Sequence, residues 1–61
     1  MTAFAIYESR GGHWIQTVRI HPAMTVDKAR ALYKSGWQVY ITDDEGSRYG
    51  PDDFDKILFN T

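Results

Sequence analysis

The chain contains no cysteine. Disulfides, thiolate metal sites and cysteine nucleophiles are therefore excluded, and with them the usual staples of very small domains. Histidine is scarce: only His13 and His21 are present. On one strand these two would lie about 26 Å apart at ~3.3 Å per residue, too far to share an ion. No run approaches the roughly 18 apolar residues that cross a membrane. No basic segment precedes an apolar stretch at Met1-Thr2-Ala3-Phe4-Ala5, so no secretory signal is expected. Without cysteine or signal, the cytoplasm is the expected compartment.

Catalytic patterns are missing as well. Ser9, Ser35 and Ser47 lie outside any G-x-S-x-G context, and Gly11-Gly12 is not followed by the Lys-Ser or Lys-Thr of a phosphate loop. Asp43-x-Glu45 resembles the start of a calcium loop, but its sixth position is Arg48 and its twelfth is Phe54. The carboxylates Asp43, Asp44 and Glu45 belong to a turn, and Asp52, Asp53 and Asp55 to a helix start. Solvation and dipole compensation account for both groups. No enzymatic activity, cofactor or metal is expected.

What is present is 61 residues, 15% of them aromatic. That length makes a single domain, residues 1–61, which buries only about 60% of its unfolded surface. Large aromatic side chains suit so small a core. Charge is uneven along the chain. Residues 1–36 carry five basic and two acidic groups, a net +3; residues 37–61 carry two basic and six acidic groups, a net −4.

Alternating apolar residues predict a strand over Ala3–Glu8 and another over Trp14–Ile20, joined at Arg10-Gly11-Gly12-His13. Phe4 and Ile6 form the apolar face of the first strand; Trp14, Val18 and Ile20 form that of the second. A two-residue loop pairs Arg10 with His13 and sets Phe4 against Arg19. A three-residue loop brings the two apolar sets to the same side. The pattern therefore predicts Arg10-Gly11-Gly12 as the loop, with a left-handed Gly12 beside a bulge.

His21-Pro22 ends the strand. A helix follows, with Thr25 as N-cap, Asp27 in its first turn, and a buried stripe of Val26, Ala29, Leu32 and Tyr33. Gly36 is the expected C′ residue. Trp37, Val39 and Ile41 are the core face of a third strand, and Gln38, Tyr40 and Thr42 its outer face. Asp43–Gly46 turns into a short return, Ser47–Tyr49, with Tyr49 on the Ile41 side. Pro51 opens a helix of about two turns that buries Phe54, Ile57 and Leu58.

The segment Trp37-x-x-Tyr40 followed by Gly46-Ser47-Arg48-Tyr49-Gly50-Pro51 resembles the opening of GYF-type peptide-binding domains, over about 15 residues. The later Trp and the Gly-Tyr-Phe element of that family have no counterpart before Thr61. The preceding hairpin and helix are foreign to it. Binding of proline-rich peptides is accordingly not carried over.

The expected architecture is an α+β two-layer sandwich in the order β-β-α-β-(β)-α. It has a three- to four-stranded, mainly antiparallel sheet of strand order 2-1-3, with both helices on one face. The other face stays open. By the register above it presents Tyr7, Ile15, Arg19, His21 and Tyr40, which are the candidate partner-binding residues. An aromatic and basic face of this kind suits a non-catalytic interaction module that binds a protein partner or a second copy of itself. Single-stranded nucleic acid is the alternative occupant. It is disfavoured by the net charge of −1 and the absence of a Lys/Arg run.

Overall fold

The computed structural model describes residues 3–59. Strands β1 (Phe4–Arg10) and β2 (His13–Arg19) form a hairpin; helix α1 (Pro22–Lys34) follows. Strand β3 (Gln38–Thr42) and the two-residue β4 (Arg48–Tyr49) lead to a single 3-10 turn (Pro51–Asp53) and helix α2 (Phe54–Phe59). The four strands form one antiparallel sheet in the order β2-β1-β3-β4, and the fold is the expected α+β arrangement.

The core lies between the sheet and the helices. Phe4, Ile6, Val39 and Ile41 come from the two central strands; Val26 and Ala29 come from α1, and Phe54 and Ile57 from α2. Leu32 and Tyr49 pack at its margin. The spacing of these residues, two along strands and three or four along helices, is what puts them on one side of each element. Among the described residues no buried side-chain nitrogen or oxygen lacks a hydrogen-bond partner.

The hairpin departs from the expectation. Arg10 pairs with His13 and Phe4 with Arg19, so the loop is the two residues Gly11 and Gly12. Their φ values are +76° and +92°. Two consecutive positive φ angles give the primed turn whose twist matches that of the flanking strands, and glycine supplies them without strain. Turn chemistry thus overrode the apolar pattern of β2. Nothing opposed this, because β2 is the sheet's outer strand and the helices do not cover it. Trp14, Val18 and Ile20, expected in the core, are 52%, 59% and 62% exposed.

The start of α1 also differs. The helix begins at Pro22 and its N-cap is His21, in extended conformation (φ −96°, ψ 116°), with Nδ1 accepting from the Met24 N–H at 3.4 Å. Proline at the first helical position carries no N–H to satisfy and brings a helical φ. Thr25 is therefore an interior residue, fully buried, and its Oγ1 donates to the His21 carbonyl at 2.7 Å. Asp27 falls beyond the first turn, which contains no acidic residue. Tyr33, expected in the buried stripe, is 55% exposed.

The other end of α1 is as expected. Gly36 has φ +93°, its N–H donates to the Tyr33 carbonyl, and the Trp37 N–H donates to the Leu32 carbonyl, each at 3.1 Å. This pair of bonds is a Schellman motif, which closes the helix and sends the chain directly into β3. Trp37 lies at the end of the sheet, half-buried rather than in the core, with the Arg10 guanidinium 5.9 Å from its ring centroid. Leu58, expected in the buried face of α2, is exposed. The helix is short and Phe54 and Ile57 already fill the space above the sheet.

A candidate interaction surface

Register and alternation settle which residues share the open face of the sheet. From β1 it holds Ala5, Tyr7 and Ser9; from β2 Trp14, Gln16 and Val18; from β3 Gln38, Tyr40 and Thr42; from β4 Arg48. Of the five candidate residues, Tyr7 and Tyr40 lie here. Ile15 and Arg19 do not: the two-residue loop turns them to the helix side of β2. His21 has left the strand and caps α1. Trp14, assigned to the core by its pattern, takes their place on the open face. The signal that could have found it is Gly11-Gly12 itself, read as a primed turn, because that turn dictates the parity of the whole strand.

Four side chains on this face form a connected row. Tyr7 and Tyr40 are directly opposed across β1 and β3, their ring centroids 4.8 Å apart and their planes within 13°. The Arg48 guanidinium sits 4.3 Å from the Tyr40 centroid. Since β1 and β4 flank β3 on opposite sides, Tyr40 is enclosed between a phenol and a cation. Trp14, two strands from Tyr40, contacts it at 5.4 Å with a 58° tilt. It can reach across because the β1 residue beside it is Ser9, which is 3% exposed. Gln16 Nε2 donates to the Tyr7 hydroxyl at 3.0 Å and ties the row back to β2.

The outer edge of β2 bounds this face. All seven residues of β2 pair with β1 on one side, while no described strand pairs with its other side. Its apolar side chains are open on both faces of the sheet: Trp14 and Val18 on one, Ile15 (52% exposed) on the other. Edge strands are ordinarily shielded by proline, a bulge, lysine or a covering loop. β2 has no proline and no lysine, and its pairing with β1 is regular throughout. The opposite edge, β4, is two residues long.

Three of the six acidic residues of the second part, Asp43, Asp53 and Asp55, are engaged within the fold. Asp43 Oδ1 accepts the N–H groups of Glu45 and Ser47, each at 2.9 Å, and Oδ2 accepts the Tyr49 hydroxyl at 3.0 Å. Desolvation pushes the Asp43 carboxyl upward. The hydrogen bonds from Ser47, Tyr49 and Glu45 outweigh it and hold the group below its ordinary value. Asp55 pairs with Arg30 between the two helices, and Asp53 with Lys56 at 3.2 Å. The Arg30–Asp55 pair joins the cationic first part of the chain to its anionic second part, whereas Asp53–Lys56 lies within the second. Among the described residues no three His, Asp or Glu side chains converge as a metal site would require, and no helix is long and apolar enough to cross a membrane.

Comparison of the chain with family models, curated proteins and solved structures finds no match.

Proposed function

We propose that this protein is a small non-catalytic interaction module that binds a protein partner through β2 and the aromatic row behind it. The observation that carries the reading is the exposure of Trp14, Ile15 and Val18, each by half or more, on a full-length strand with a free edge. Tryptophan, isoleucine and valine so placed leave a large apolar area in water unless a partner covers it. Tyrosine, tryptophan and arginine, which make up the row, are also the residue types that dominate binding energy at protein interfaces. The absence of cysteine supports a reducing compartment such as the cytoplasm.

The test is site-specific photo-crosslinking in the native host, with the photoreactive side chain at position 15 or 18 and, as control, at Lys28, exposed on α1. Protein adducts from the β2 positions and none from position 28 are expected. Absence of adducts, or equal yields from all positions, overturns the proposal.

Single-stranded nucleic acid is the second reading, supported by the exposed Trp14 indole and by Arg48 on the same face. It is the weaker one. Tyr40 is already stacked on Tyr7 and covered by Arg48, so neither of its faces is free for a base. Titration of labelled single-stranded RNA at low salt decides it: shifts of the Trp14 indole and Arg48 side-chain resonances support it, and unchanged spectra remove it.

A further inference from the structure

Resting on the interaction reading above, we infer that the partner of β2 is a second copy of the same strand, paired antiparallel about a two-fold axis at Gln16. In a two-residue hairpin the residues flanking the loop exchange both backbone hydrogen bonds. Arg10 and His13 are that pair. Counting in twos, Ile15, Thr17 and Arg19 also bond to β1. Trp14, Gln16 and Val18 consequently direct their N–H and C=O groups outward. The neighbouring Arg19 Nη1 reaches the Val18 carbonyl at 3.3 Å.

Outward groups must meet outward groups, which restricts an antiparallel copy to registers that set even-numbered residues opposite one another. Only one of these pairs all seven residues of β2. In it Gln16 stands opposite Gln16, Trp14 opposite Val18, Ile15 opposite Thr17 and His13 opposite Arg19. Each exposed apolar side chain on one face then meets an apolar neighbour, and Ile15 on the other face meets the methyl group of Thr17.

The axis of an antiparallel pair is perpendicular to the sheet, so both aromatic rows lie on one side and join across the seam. Electrostatics permit the arrangement. Arg19 is the only formally charged residue of β2, and the two copies of it stand at opposite ends, about 20 Å apart along the strand, well beyond the ~8 Å screening length. A foreign peptide would need the same two-sided apolar alternation, which a second β2 supplies automatically. The contact is isologous and closes as a dimer with a continuous eight-stranded sheet. The far edge is the two-residue β4, too short to propagate the sheet.

Sedimentation of the full chain tests this, carried up to roughly 500 µM, where even an interface near the small end of the specific range would be populated. The wild type is expected to move from 7.0 kDa to twice that mass. Gln16→Glu and Gln16→Lys each set like charges against each other on the axis, and each is expected to weaken the dimer about fivefold, the size of a like-charge cross-strand pair. An equimolar mixture of the two variants restores association. Gln16 is exposed, and circular dichroism of each variant checks that the fold is kept.

Three results overturn the inference: a wild type that stays monomeric, a dimer that Gln16→Glu leaves unchanged, or a mixture that does not restore association. Crosslinks from positions 15 and 18 separate this from the broader reading. A monomeric wild type that crosslinks to other proteins sinks the second copy alone; one that crosslinks to nothing sinks both.

Discussion

Tyr7 and Tyr40 stand directly opposite each other on the open face of the sheet, rings 4.8 Å apart and nearly parallel. Stacked aromatic pairs contribute roughly 0.5–1.5 kcal/mol beyond their buried area. A double-mutant cycle on Tyr7→Leu and Tyr40→Leu, read by urea unfolding, is expected to give a coupling energy in that range. A coupling near zero would mean that the rings are held by the sheet and do not hold each other.

Ser9 is the small residue over which Trp14 reaches Tyr40. Ser9→Leu places a branched side chain in that path. In a Trp37→Phe background, leaving Trp14 as the single indole, the expected result is a red-shifted emission and loss of near-ultraviolet dichroism from the Trp14–Tyr40 contact. Unchanged spectra would show that Trp14 does not cross over Ser9.

Two residues meet at the start of α1 with different weights. The Thr25 hydroxyl is buried and bonds the His21 carbonyl at 2.7 Å, while the His21 ring accepts from Met24 at a long 3.4 Å and is exposed. Thr25→Ala should therefore destabilise the domain by about 1–2 kcal/mol, from one lost bond and a small cavity. His21→Ala should fall at the low end of cap replacements, about 0.5 kcal/mol. Thermal or urea unfolding ranks them, and the reverse order would make His21 the dominant cap.

Asp43 predicts an acid-sensitive turn. Its carboxyl is held below its ordinary value by hydrogen bonds from Ser47, Tyr49 and Glu45, which are stronger to the ionised form. A depressed native pKa means stability that is fully present above the unfolded value and lost as pH falls through the native one. Asp43→Asn is expected to be less stable than wild type at pH 7 and to show a flatter decline on acidification. Parallel curves for the two proteins would contradict the assignment.

The core contrast is between Phe54 and Trp37. Phe54 is 1% exposed among the central residues, whereas Trp37 is half-buried at the end of the sheet. Phe54→Ala is expected to remove about 3–5 kcal/mol and leave a domain of this size largely unfolded. Trp37→Ala is expected to remove less and to retain the fold by circular dichroism.

How much of this was legible follows from which residues had a neighbour in sequence that settled their conformation. Gly36 announced the end of α1 because a left-handed residue closes the Schellman bonds whatever lies around it. Val39 and Ile41 read correctly because both faces of β3 alternate cleanly beside a helix that covers one of them. Val26, Ala29, Phe54 and Ile57 followed from helical spacing. Tyr7 and Tyr40 emerged as surface candidates for the same reason of parity. Trp14 misled because an apolar residue signals burial only where something covers it, and Thr25 because its hydroxyl can bond forward as a cap or backward as an interior residue.

By its sequence alone this protein determined its elements, their order and the two-layer sheet-and-helix arrangement, since these rest on local periodicity and on turn and cap residues. The tertiary structure decided that the apolar pattern of β2 would not set its parity, because it left that strand largely uncovered. A strand's two faces differ only when one is covered, and β2 lies at the sheet's edge, where α1 touches it but leaves most of its side chains exposed, so the hairpin turn chose its orientation. That choice brought Trp14 to Tyr40, turned Ile15 and Arg19 away, and left a complete strand edge facing outward.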